Sequence, residues 1–185
     1  MLEDADQDRL HHPLATTPAM NDNASKSVGG SHIRNVRENF KLLSWNVHDI
    51  ADQSLGKKTD NPDFISILTK SNIFCLQETK GEVKIPNYRC YNQLRKGSRS
   101  GGLCIGIRHE LTKHLKIMNT SKYSEDIQAA NISKRLTGFA NDVIMVNIYD
   151  SPENSSYKKK KNQAGTLKET LVELDSFLAT ISPNK

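Results

Sequence analysis

Two apolar runs in this chain end in polar groups that their apolar bodies do not require. Leu42-Leu43-Ser44-Trp45-Asn46 closes on an amide, and Ile73-Phe74-Cys75-Leu76-Gln77-Glu78 closes on an amide and a carboxylate. In a layered α/β sheet, ligands bind beyond the carboxyl ends of the strands. An asparagine and a glutamate brought together there could hold a hard cation and a phosphate. From spacing alone a plainer explanation fits better: Asn46 caps a turn and Glu78 is a solvated acid at a helix start. Other polar clusters have plainer readings too. His11-His12 reads as part of a solvated tail, and Glu125-Asp126 as loop acids. The run Lys158, Lys159, Lys160, Lys161 fits a phosphate-binding patch and a solvated loop about equally. Arg95, Lys96, Arg99 and Arg108 add positive charge around the Gly101-Gly102 turn, which favours a nucleic-acid partner.

The elements that must position these groups follow from periodicity. Residues 1–37 are rich in Asp, Asn, Ser, Thr, Gly and Pro and predict a disordered leader. Phe40 to Val47 reads as a strand, and His48 to Asp60 as a loop. Asn61-Pro62-Asp63 opens a helix with a cap, a proline in the first turn and an acid near the positive dipole end. Phe64, Ile67 and Leu68, with Ile65, supply its apolar face. Ile73 to Leu76 is a short continuous apolar run, so a strand buried on both faces. Further strands are predicted at Tyr88–Leu94, Gly102–Ile107, Ile127–Ile132 and Asp142–Tyr149. The glycines of the second of these imply a close backbone approach. Pro152 to Asn162 is a basic loop. A helix from Thr166 carries the stripe Leu167, Leu171, Leu174, Leu178, Ile181, and Pro183 closes it. The order implies an α/β layered architecture.

The chain has 185 residues, enough for one domain with a core, and a net charge of +5. A basic body suits a polyanionic partner. No apolar run is long enough to cross a bilayer, and the acidic, polar N-terminus has no signal-peptide character, so no membrane association and no secretion are expected. Three cysteines without a CxxC pair read as buried reduced thiols, which implies an intracellular site, nuclear or cytoplasmic.

Taken together in order, Leu42 to Val47, Ile73-Phe74-Cys75-Leu76-Gln77-Glu78-Thr79-Lys80, Ser100-Gly101-Gly102-Leu103-Cys104-Ile105, and Val146-Asn147-Ile148-Tyr149 with Pro152 behind it, resemble the endonuclease/exonuclease/phosphatase superfamily. That group includes abasic-site endonucleases, DNase I-like nucleases, inositol phosphatases and sphingomyelinases. The segment Tyr149 to Tyr157 is most similar to the endonuclease region of non-LTR, LINE-like retroelements. The resemblance implies a partial four-layer α/β sandwich, two packed β-sheets flanked by helices, with the C-terminal half of the domain missing after residues 38–185. It implies Mg²⁺ or Mn²⁺ bound by Glu78, an orienting and phosphate-contacting Asn46, and a phosphate-facing phenol at Tyr149 that donates to developing charge. Many relatives carry a carboxylate or asparagine where this chain has His48, which would touch phosphate; an ordinary loop histidine fits as well. DNA is the implied partner, with Lys158 to Lys161 and Arg99 on its phosphates. Asp150 departs from the pattern, since a carboxylate there repels phosphate.

A larger departure is the absence of an Asp-x-Asn triplet and of an Asp-His dipeptide; the last histidine is His114. The family's water-activating aspartate and its histidine at the scissile phosphate therefore have no counterparts. The expectation is an endonuclease-like domain not competent for catalysis alone. The alternatives are a non-catalytic nucleic-acid-binding remnant and a phosphatase or other hydrolase of the same superfamily. An uncovered sheet is expected to favour self-association.

Overall fold

The computed structural model describes residues 40–52, 56–96, 101–152 and 170–181. The predicted leader lies outside them, as do Arg99 and Lys158 to Lys161. Strands β1 (Leu42–Asn46) and β4 (Ile73–Gln77) pair in parallel, with Leu42 opposite Ile73 and Asn46 opposite Gln77. Parallel neighbours need a crossover, and it contains helix α1 (Pro62–Thr69). The sequence signals at its start act as expected. Asn61 Oδ1 accepts from the backbone N–H of Asp63 at 2.8 Å and of Phe64 at 3.4 Å, and Pro62 occupies the first turn. The buried face is narrower than expected: Phe64 and Leu68 are buried, while Ile67 is exposed and Ile65 half-buried. A two-turn helix lying on a sheet buries one i, i+4 ridge, and Phe64 and Leu68 form it. The predicted loop between β1 and α1 holds a short hairpin, β2 (Ala51–Asp52) against β3 (Gly56–Lys57), and a 3-10 turn at Lys58–Asp60.

Strands β5 (Tyr88–Gln93) and β6 (Leu103–Arg108) complete a sheet of order β1-β4-β6-β5, with β6 antiparallel to both neighbours. The second sheet is antiparallel, of order β7-β8-β9, from β7 (Leu115–Met118), β8 (Ile127–Ile132) and β9 (Val143–Ile148). The two sheets face each other with helices at their flanks, the expected α/β sandwich. Period-2 alternation divides β4 between two cores. Ile73 and Cys75 join Ile105, Ile107, Ala130, Ile132 and Met145 between the sheets. Phe74 and Leu76 join Phe64, Leu68, Val83 and Ile85 beneath α1. Gly106 shows the close approach its sequence implied: a Cβ there would overlap the ring of Phe74. All three cysteines are free, and burial pushes the Cys75 thiol up to about 12, so it is inert as a nucleophile. Among the described residues no helix is long and apolar enough to cross a membrane.

Three further elements carry no clear sequence signal: a 3-10 segment at His109–His114, strand β7, and helix α2 (Lys134–Thr137). The C-terminal helix α3 (Thr170–Ile181) is present, but it turns a different face inward. Thr170, Glu173 and Phe177 are buried, whereas Leu171 and Leu178 of the predicted stripe are exposed. The aromatic ring decides the orientation. Phe177 meets Tyr123 edge-on at 5.4 Å, and the Tyr123 hydroxyl lies 3.1 Å from Thr180 Oγ1.

The sheets are also joined by a polar seam. Asn147, fully buried on β9, donates from Nδ2 to Leu76 O at 3.1 Å, and its Oδ1 accepts from Gln77 Nε2 at 2.6 Å. Gln77 Nε2 also donates to Ser44 Oγ, and Gln128 Nε2 reaches across from β8 to Tyr91 O at 2.7 Å. A buried amide stripped of its partners leaves several groups unsatisfied. Asn147→Ala is therefore expected to lower stability by about 2–3 kcal/mol in chemical denaturation, the combined effect of lost bonds and a small cavity.

Candidate active site

The site is assembled by strand register. Because β1 and β4 run parallel, their carboxyl ends reach the same edge of the sheet, and Asn46 stands beside Gln77 with Glu78 one residue beyond. Strand β9 delivers Tyr149 to the same end, one residue past Ile148. The chain there is held in unusual conformations. His48, Glu78 and Lys80 have φ of 58°, 56° and 51°, each on the order of 1–2 kcal/mol above the ordinary basins. Neighbouring backbone bonds hold them: Thr79 N–H to Gly102 O at 3.2 Å, Lys80 N–H to Gly101 O at 2.7 Å, and Ile50 N–H to Thr79 O at 3.0 Å. Lys58 Nζ donates to Val47 O at 2.6 Å and ties down the segment leading to His48.

The Glu78 carboxylate is the hub. Asn46 Nδ2 donates to Oε1 at 2.8 Å, His48 Nδ1 lies 3.2 Å from Oε2, and the Tyr149 phenol is close enough to the same carboxylate to lower its pKa. Asn46 Oδ1 accepts the His48 backbone N–H at 3.0 Å, so one amide orients both the acid and the loop. Partial burial pushes the Glu78 pKa up, but bonds from Asn46, Tyr149 and His48, with the histidine's charge, outweigh it and leave the carboxyl below its ordinary value. Burial pushes the Tyr149 phenol up to about 12, with the Glu78 bond and charge adding to the effect. At neutral pH the pair is thus a carboxylate beside a protonated phenol, one acceptor and one neutral donor. A cleft of about 380 Å³ between the sheets opens here, lined by Ser44, Asn46, Gln77, Asn147 and Tyr149, with exposed Asp150 at its side.

Two residues assigned other roles in the sequence prove to be the support of Tyr149. Arg95, expected to add surface charge for a polyanion, is buried with its guanidinium carbon 5.2 Å from the Tyr149 ring centroid. Asp126, expected to be a loop acid, is buried too, and Arg95 Nε donates to its Oδ1 at 2.6 Å. Arg95 Nη2 donates to Ser151 Oγ at 2.7 Å, and the Tyr149 N–H to Asp126 O at 3.0 Å. Gly101 makes room for this. A Cβ there would lie 2.5 Å from the guanidinium, and its φ is 82°. Arg108 is likewise no surface cation at the turn: at the far end of β6, it donates to Thr69 O at 2.8 Å and Ser71 O at 3.1 Å. The signal that could have revealed Asn147 and Gln128 is a polar residue at an inward position of an otherwise apolar strand. For Arg95 and Asp126 no local signal existed, because 30 residues separate them in the chain.

Asn46, Glu78, Tyr149 and His48 are therefore brought together, while Lys158 to Lys161 and Arg99 lie outside the described residues. No family model matches the chain, and no curated protein matches it. Among the described residues no group of three or more His, Cys, Asp and Glu side chains is arranged to hold a metal ion. A single oriented carboxylate beside an open cleft fits a hard divalent ion that keeps waters and takes further oxygens from phosphate.

Two expectations follow. Arg95→Met should destabilise the fold by about 3–5 kcal/mol by stranding the Asp126 charge, and Arg95→Met combined with Asp126→Leu should recover most of that loss in a double-mutant cycle. Glu78 has a folded-state pKa below its unfolded one, so its contribution is present above the ordinary carboxylate value of 4.5 and lost as pH falls through the folded value. Glu78→Gln should accordingly flatten the acid limb of stability below about pH 4.5, read from urea midpoints against pH.

Proposed function

We propose that this chain carries the metal- and phosphate-holding part of a metal-dependent phosphodiesterase centre, of the endonuclease/exonuclease/phosphatase kind and nearest the retroelement endonucleases, acting on DNA. The observation that carries the reading is the convergence of Asn46, His48 and Tyr149 on the one carboxylate of Glu78 at the carboxyl ends of β1, β4 and β9. When bound, Mg²⁺ or Mn²⁺ supplies Lewis-acid polarisation of a phosphoryl oxygen. Glu78 would hold the ion. Asn46 fixes the carboxylate's orientation, and the Tyr149 phenol, protonated at neutral pH, offers a hydrogen bond to a non-bridging oxygen as charge develops there. The basic composition and the Lys158 to Lys161 run support a polyanionic substrate.

Hydrolysis also needs an oriented water and a group to take its proton. The sequence has no Asp-x-Asn strand end, and of the described histidines His109 and His114 lie at the opposite end of β6. Phosphodiester cleavage at enzymatic rates by this chain alone is therefore not expected. A non-catalytic DNA-binding role follows from the same observation. The test is incubation of the purified chain with supercoiled and abasic-site DNA, in Mg²⁺ and in EDTA, read for binding and for nicking. The expected result is Mg²⁺-enhanced binding that Glu78→Gln weakens, with no nicking above the EDTA control. Metal-dependent nicking abolished by Glu78→Gln would overturn the inactive reading. An absence of metal-dependent binding would overturn the site itself.

A further inference from the structure

The histidine at the site is its least explained member. His48 contributes nothing to packing: its side chain is 84 % exposed, yet the ring does not point away into solvent. It folds back to within 3.2 Å of Glu78 Oε2. Its backbone is fixed for that purpose in the left-handed region, φ 58°, by the bond from its N–H to Asn46 Oδ1. An exposed histidine that only had to stay dissolved would have no need of a strained backbone anchored by the site's own amide.

The spacing has a second meaning. Two ligands in neighbouring positions around an octahedral ion, each bonded at about 2.1 Å, stand about 3.0 Å apart. The Nδ1–Oε2 separation of 3.2 Å is close to that figure. The imidazole and carboxylate are thus set as a pair able to chelate one ion with a small movement, and an exposed ring is free to make it. Ligand chemistry then decides which ion. Mg²⁺ takes oxygen ligands and releases its waters reluctantly. Imidazole nitrogen suits the first-row transition ions, whose affinities for nitrogen-containing sites rise from Mn²⁺ upward.

We propose that His48 is a second protein ligand to the divalent ion held at Glu78, and that it shifts the preference of the site from Mg²⁺ toward first-row transition ions such as Mn²⁺. This rests on the metal-dependent reading above. The plain alternative is that His48 only donates a hydrogen bond that orients Glu78. That role would affect both ions alike, whereas a nitrogen ligand affects their ratio.

The test uses the full chain with Mn²⁺ as the probe. Bound Mn²⁺ is followed by the loss of the free-ion EPR signal, and Mg²⁺ affinity by competition. Loss of an outer-shell partner of a metal ligand costs about 10- to 100-fold in affinity, and loss of a ligand costs at least as much. His48→Ala is expected to weaken Mn²⁺ binding about tenfold or more while changing Mg²⁺ affinity less than about twofold. His48→Asp, which restores a hard oxygen, should recover binding and move the preference toward Mg²⁺. The thermal melt of His48→Ala should match the parent, since the ring is exposed. An unchanged Mn²⁺ to Mg²⁺ ratio in His48→Ala would overturn the proposal while leaving Glu78 as a site if Glu78→Gln alone abolishes binding. No Mn²⁺ binding by the parent chain would overturn this proposal and the metal-dependent reading together.

Discussion

The parallel pairing of β1 with β4 governs the rest of the molecule. Register sets Asn46 against Gln77, and the side-chain period of two then decides everything near the site. Leu76 goes beneath α1, Gln77 toward the second sheet, and Glu78 to the open end. A slip of one residue would exchange the two faces of β4, sending Phe74 into the space between the sheets and Cys75 under the helix. Gly106 guards against this, since only the observed register places the Phe74 ring over a residue with no Cβ. The crossover through α1 is what parallel pairing demands, and the Asn61 cap with Pro62 starts that helix at a defined place.

Beyond the pairing, polar groups locate the second sheet relative to the first. Hydrophobic contact between two sheets is non-directional and tolerates sliding. The bonds from Asn147 to Gln77 and Leu76 do not, because each is lost within about an ångström of displacement. With Gln77 one residue before Glu78 and Asn147 two before Tyr149, these bonds fix Tyr149 relative to Glu78. The buried Arg95–Asp126 pair does the same from below. Buried ion pairs are weak sources of stability compared with apolar packing, so their value here lies in geometry. The strained φ values at His48, Glu78 and Lys80 lie at the same end, where the surrounding hydrogen bonds are dense enough to hold them.

Much of this was legible in the sequence for definite reasons. The β1, α1 and β4 segments were readable because apolar continuity and capping are local signals. Glu78 and Asn46 stood out because each ends an apolar run. The inward face of α3 was not readable: a leucine stripe and the Phe177 ridge compete within one helix, and only the position of Tyr123 chooses between them. Strand β7 was missed because four residues carry too little alternation to register against a flanking 3-10 turn. Arg95 and Asp126 were read as surface charges because their types are usually exposed. Their pairing depends on β5 and β8 meeting across the sandwich, which no local pattern encodes.

The proposed centre requires a divalent ion held at Glu78 and a phosphate in the adjoining cleft lined by Asn46 and Tyr149. A crystal of the chain soaked in Mn²⁺ with a short DNA phosphodiester, measured for anomalous scattering, tests it directly. An anomalous peak at coordination distance from the Glu78 carboxylate, with a phosphate oxygen near the Tyr149 hydroxyl, is the expected result. A well-ordered Glu78 still engaged with Asn46 and Tyr149, with no ion beside it at millimolar Mn²⁺, would contradict it.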